Sequence, residues 1–161
     1  MCCFAACPSR WRKALIAFAA ETAAATEENH FMEMTGGCLC GGTRYALITA
    51  PFSLADCHCV DCRRSAGAPV VTWGSVDRKD LRIIKGEPRK VKHAGRIRSF
   101  AGCCGTHLFF EEANDSGTID VTIASLDDPT PFPPQKVIWL EDKLPWVQPD
   151  ESLPHFQKGS S

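Results

Sequence analysis

An excess of charge of either sign is missing from this 161-residue chain: 18 Lys and Arg stand against 19 Asp and Glu, for a net −1. That balance excludes the broad basic field that draws proteins to nucleic acid or to an anionic membrane surface. Long apolar runs are missing too, since none approaches the roughly 20 residues that a membrane span requires. No repeat of fixed period occurs. After residue 34 no stretch carries a helix-length 3.6-residue period, which argues against a helical bundle. Aromatics are sparse, with one Tyr beside four Trp. The length suits one domain with a moderate core.

What the chain has in quantity is cysteine, ten in all. In a small secreted protein that number suggests a disulfide framework. Here the thiols fall in C-x-C and C-x-x-C clusters, which favour metal in a reducing compartment, so the expectation is a cytoplasmic protein. The densest cluster is Cys57-His58-Cys59-Val60-Asp61-Cys62. Its C-x-C sets two sulfurs on the same side of an extended backbone, and the x-x-C turn brings a third to the same point. Soft thiolates select zinc or iron–sulfur clusters, with zinc the default occupant. The cluster therefore reads as a zinc site with three local ligands, Cys57, Cys59 and Cys62, its fourth coming from elsewhere. Cys38-Leu39-Cys40 is a second C-x-C, wrapped in glycines that let the backbone fold tightly round a metal. Cys103-Cys104 makes a third turn with thiols.

Residues 1–33 do not read like the remainder. Arg10, Arg12 and Lys13 precede a short apolar run and Ala23-Ala24-Ala25, a pattern shared by signal peptides, transit peptides and plain N-terminal extensions. The reading adopted is an extension, disordered or partly helical, with Cys2, Cys3 and Cys7 as free thiols. The zinc-binding domain then covers 34–157. Within it, alternating and β-branched segments punctuated by Gly and Pro predict strands over 43–49, 70–76, 81–85, 89–93, 96–100, 107–111, 118–124 and 137–140. Residues 65–69 read as a turn. The fold class expected is all-β.

Five motifs occur in order: G-G-C-L-C-G-G-T-R-Y (36–45), C-H-C-V-D-C-R-R-S-A-G-A-P (57–69), C-G-T-H-L (104–108), S-L-D-D-P (125–129) and W-x7-P-x-F (146–156). Together they resemble the glutathione-dependent formaldehyde-activating enzyme family, which also includes centromere protein V. The resemblance covers about Thr35 to Phe156. It implies an Mss4-like fold of twisted antiparallel sheets pinned by zinc. It also implies a catalytic Zn²⁺ on Cys57, Cys59 and Cys62, and a structural Zn²⁺ on Cys38, Cys40 and a later C-x-x-C. Cys104 is the last residue of that C-x-x-C, whose first position is Ala101 here. Either Cys103 stands in, or water completes the shell, or the structural site is weak or empty.

The implied activity is that of a carbon–sulfur lyase or synthase acting on S-hydroxymethylglutathione, the adduct of glutathione and formaldehyde, or on a related thiol adduct. The alternative is a non-catalytic, zinc-stabilised binding or scaffold module of the centromere protein V type. Three thiolates on Zn²⁺ leave a formal charge of −1, which suits thiol exchange or holding an aldehyde oxygen better than activating water. Arg63 and Arg64 are placed to neutralise that charge or to grip glutathione carboxylates bidentately; otherwise they are an exposed pair capping the turn. Trp73 either walls a ligand cleft or fills the core. His58 and His107 read as structural, and Asp61 and Asp127-Asp128 as turn residues. Trp139, Trp146 and Phe156 are expected to close the sheet.

Overall fold

The structure is a computed structural model that describes residues 33–114 and 117–159. The expectations of a targeting segment or extension, and of free thiols at Cys2, Cys3 and Cys7, lie outside the described residues.

The alternating segments form two sheets. Strands β1 (Met34–Gly37), β2 (Arg44–Leu47) and β5 (Leu81–Lys85) make a three-stranded antiparallel sheet in the order β1-β2-β5. Strands β3 (Phe52–Cys57), β4 (Val71–Asp77), β6 (Pro88–His93), β7 (Arg96–Ala101), β8 (His107–Glu112), β9 (Thr118–Thr122) and β10 (Lys136–Ile138) make a seven-stranded sheet. Its order is β10-β3-β4-β9-β8-β7-β6. The all-β expectation holds, with two corrections. The pairing of β10 with β3 is parallel, so the large sheet is not wholly antiparallel. A helix, α1 (Val60–Ala66), stands where a turn was expected. Seven residues are about two helical turns, too short for a period to show in sequence. Its ends are nevertheless well made: the Cys59 sulfur accepts the Cys62 N–H at 3.3 Å, and Gly67 closes it with φ 65°. Glycine adopts that left-handed conformation without a Cβ penalty.

The small sheet covers one face of the large one, and the main core lies between them. Tyr45 and Leu47 of β2 meet Val76, Leu108, Phe109, Ile119 and Val121 of the large sheet there. Tyr45 and Phe109 touch edge to face with centroids 5.0 Å apart, a favourable ring geometry. Period-2 alternation sends the other side chains of these strands to the opposite face. There Cys57, Cys62, Val71 and Trp73 form a second cluster with Phe110, Ile138 and Trp139 against it.

A bulge in β8 decides what that second face carries. Ser99 pairs with Phe109 but Phe100 pairs with His107, so Leu108 is an extra residue. One added residue turns two successive side chains, Leu108 and Phe109, into the core. It also returns His107 and Phe110 together to the other face, where both rings lie against Trp73 at 5.1 and 6.0 Å. Among the described residues no helix is long and apolar enough to cross a membrane.

Candidate metal centre

The second face of the large sheet opens as a cavity of about 450 Å³. Cys57 enters it from the end of β3, Cys59 from the N-cap of α1, and Cys62 from the first turn of that helix. Strand end and helix start thus deliver three sulfurs within 4.8 Å of one another, two of them buried. In a metal-free cluster these thiols share protons: hydrogen bonds from Cys57 and Cys62 push Cys59 down to about 2, and the same contact pushes Cys57 up. Such a donor set fits a soft divalent ion, which replaces the shared protons.

Around the sulfurs the walls are mixed. Trp73 lines the cavity, as expected for one of its two readings. Arg63 and Arg64 do not line it: the Arg63 Nε–H donates to the His58 carbonyl at 3.0 Å, and Arg64 is exposed on α1. The guanidinium groups that reach the cavity come from β7. Arg98 is 8% exposed, lies 5.1 Å over the Phe110 ring, and has Nη2 4.0 Å from the Cys62 sulfur. Its Nε has no hydrogen-bond partner among the described residues. Arg96 is tied to Asp61 at 3.0 Å, so Asp61 is an ion-pair residue rather than a mere turn former. Sequence spacing could not single out Arg98, because only the strand register tells which alternate residues of R-I-R-S-F face the sulfurs.

The other expected residues fall as follows. His58 is buried, its backbone N–H bonded to the Ile138 carbonyl, and burial lowers its imidazole pKa. His107 stacks on Phe100 at 4.6 Å and meets the Ser65 hydroxyl at 3.4 Å through Nδ1. Asp127 is paired with Arg44 and accepts from Thr35, which pushes its carboxyl down to about 2. Trp139 lines the cavity, whereas Trp146 is 67% exposed and closes nothing, a correction to the expectation. It lies in a Pro-flanked segment that no strand holds down.

A second group forms where the β1–β2 and β7–β8 connections meet. Cys38, Cys40, Cys103 and Cys104 place their sulfurs within 4.8 Å of one another. The separations are 3.7 Å for Cys38–Cys40, 3.5 Å for Cys38–Cys103, 3.2 Å for Cys40–Cys103 and 4.0 Å for Cys103–Cys104. Thiolates held tetrahedrally at about 2.3 Å from zinc stand roughly 3.8 Å apart, so the four sulfurs fit one ion. Cys103, left open as the replacement for the ligand that Ala101 lacks, lies in the group. It joins the group because the turn after Ala101 is tight, with the Gly105 N–H on the Ala101 carbonyl at 2.8 Å. Hydrogen bonds from the Thr106 hydroxyl and backbone push Cys104 down to about 6, toward the thiolate that a metal takes.

No curated protein sequence matches this chain. Among solved structures, a Rhodobacter sphaeroides protein superposes with a TM-score of 0.49 at 18% identity, over 76% of this chain and 99% of the other. The sequence profile of the glutathione-dependent formaldehyde-activating enzyme family matches residues 33–142, a span that holds both cysteine groups. On that match, the chain belongs to the glutathione-dependent formaldehyde-activating enzyme family.

Proposed function

We propose that the chain is a zinc-dependent carbon–sulfur lyase that makes and breaks the adduct of glutathione and formaldehyde, with Cys57, Cys59 and Cys62 as the ligands of the reactive ion. The observation that carries this reading is the convergence of three sulfurs on the wall of a cavity large enough for a ligand. Three protein ligands leave one position for a substrate. Zinc, when bound there, supplies a site for the substrate sulfur or for the aldehyde oxygen. A second zinc on Cys38, Cys40, Cys103 and Cys104 has four protein ligands and so a structural role.

The chain's own residues do the rest. In the forward direction a sulfur–carbon bond forms, the carbonyl π pair moves to oxygen, and the thiol proton ends on that oxygen. Arg98 sits beside Cys62, where its fixed charge offsets the extra thiolate and favours the oxygen as negative charge grows on it. Trp73 and Phe110 supply apolar walls that keep water from the hemithioacetal carbon. The reverse sequence cleaves the same bond.

The test is exchange between glutathione, formaldehyde and S-hydroxymethylglutathione, followed by NMR line shape or saturation transfer. Wild type is expected to raise the exchange rate, Cys59→Ala to return it to the uncatalysed value, and Arg98→Gln to lower it roughly 100-fold with the zinc content unchanged. Equal rates with and without intact, zinc-loaded protein would sink the proposal.

A further inference from the structure

The cavity extends well past the sulfurs, and its far end holds two opposite charges that do not pair. Asp120 projects from β9 and Lys136 from β10, and both line the cavity. The Ser75 hydroxyl donates to Asp120 Oδ1 at 2.6 Å, and Lys136 Nζ donates to the Ser53 hydroxyl at 2.9 Å. Among the described residues neither charge has an ion-pair partner. Burial pushes the Asp120 carboxyl pKa up and the Ser75 hydrogen bond opposes that; the Glu112 charge, itself paired with Arg96, adds to the rise, and the Lys136 charge is near enough to oppose it. Two opposite charges kept apart by neutral hydroxyls leave a gap that a zwitterion fills, ammonium to Asp120 and carboxylate to Lys136.

We propose that Asp120 and Lys136 form a subsite for the zwitterionic amino-acid head of the thiol substrate, borne at about a γ-glutamyl reach from its sulfur. The inference rests on the reading of Cys57, Cys59 and Cys62 as the place where the substrate sulfur or its adduct is held.

Strand register supplies the length. Cys57 pairs with Val71, while Asp120 pairs with Ser75, four residues further along β4. At about 3.3 Å per residue the two rows lie roughly 13 Å apart. Lys136 pairs with Ala55, between those rows, and leans toward the Asp120 row to reach Ser53. A γ-glutamyl-cysteine unit sets about seven bonds between sulfur and α-carbon, a reach of roughly 9 Å. The protein side chains at each end close the remainder. In free cysteine the head is only two bonds from sulfur, so it cannot engage both ends.

Backbone strain points to the same region. Ser53 and Trp139 have φ of 53° and 59°, and both line the cavity. Such conformations are costly for residues with a Cβ, and persist where the surroundings over-determine them, as at ligand sites. At Ser53 the strained residue is the one that holds the Lys136 ammonium.

The experiment measures binding to zinc-loaded wild type by calorimetry for four thiols. These are glutathione, glutaryl-Cys-Gly (no α-ammonium), 4-aminobutyryl-Cys-Gly (no α-carboxylate) and cysteine. Each analogue is expected to bind roughly 10-fold or more weaker than glutathione. Asp120→Asn is expected to weaken glutathione by about the same factor and to leave glutaryl-Cys-Gly unchanged; Lys136→Met does the same for 4-aminobutyryl-Cys-Gly. Equal binding of glutathione and both peptide analogues overturns the subsite and leaves the sulfur site standing. If no thiol binds at all, the reading of the three cysteines falls with it. The analogue series on wild type decides the matter even where a variant fails to fold.

Discussion

At the scale of single residues, His107 is the side chain whose surroundings set a measurable pH response. It is buried between Phe100 and Trp73, and its Nε2 has no hydrogen-bond partner among the described residues. Desolvation, with the nearby Arg98 charge adding to it, pushes its imidazole down to about 4. In the unfolded chain the same group titrates near 6.5. Between those values the unfolded state binds a proton that the folded state refuses, so stability rises with pH through this window. The contribution is fully present above pH 6.5 and is lost as pH falls toward 4, by about 3 kcal/mol in all. His107→Phe keeps the ring stack and removes the titration. Urea unfolding at pH 7 and pH 4.5 is expected to show the variant losing about 2–3 kcal/mol less than wild type on acidification. An identical loss in both proteins would contradict this account. Thiolate protonation in the cysteine groups weakens metal binding over the same range, but it acts on both proteins and cancels in the difference.

At the scale of elements, the glycine-wrapped turn of Cys38-Leu39-Cys40 makes a sharp prediction. A Cβ on Gly42 would stand 2.8 Å from the Cys103 sulfur and 3.3 Å from that of Cys40. Gly42→Ala is therefore expected to spread the four sulfurs and to drop zinc from about two per chain to one, read by metal analysis of purified protein. Retention of two ions would show that the group tolerates the displacement. The elements also show how far sequence reached. Strand β9 was legible because Ile119 and Val121 alternate with the polar Thr118, Asp120 and Thr122, and β4 because Val71, Trp73 and Val76 make it β-branched and aromatic although both of its faces are packed. Helix α1 was not, since two turns carry no period and its N-cap is a cysteine rather than the usual Ser, Thr, Asp or Asn. The triad of sulfurs was legible from spacing alone because its ligands are local. Cys103 was left open because its role depends on a turn geometry that adjacent cysteines do not encode. Arg98, Asp120 and Lys136 were missed for a related reason. Each is a charged residue on an inward face, and only the register and the β8 bulge reveal which face is inward. Arg63 and Arg64 attracted notice by being next to the ligands in sequence, yet α1 turns them away from the cavity.

At the scale of the molecule, an ion held by the four-sulfur group would staple the two sheets together. Cys38 follows β1 of the small sheet, and Cys103 and Cys104 follow β7 of the large one, 65 residues on from Cys38. A cross-link closing a loop of that length restricts the unfolded chain by roughly 4 kcal/mol. On the proposed reading of two zinc ions, stripping metal with a strong chelator is expected to lower the melting temperature of the whole protein by about 10 °C or more, reversibly on adding zinc. An unchanged transition in calorimetry would mean that packing between the sheets suffices without metal. The parallel pairing of β10 with β3 carries a different consequence, one of timing. Cys57, Cys59 and Cys62 leave a ribosome long before Lys136, Ile138 and Trp139, which complete the wall beside them. During synthesis the nascent triad is therefore open on one side to whatever thiophilic ion is at hand. The wall that β10 supplies is the last part of the pocket to form, around sulfurs already gathered by β3 and α1.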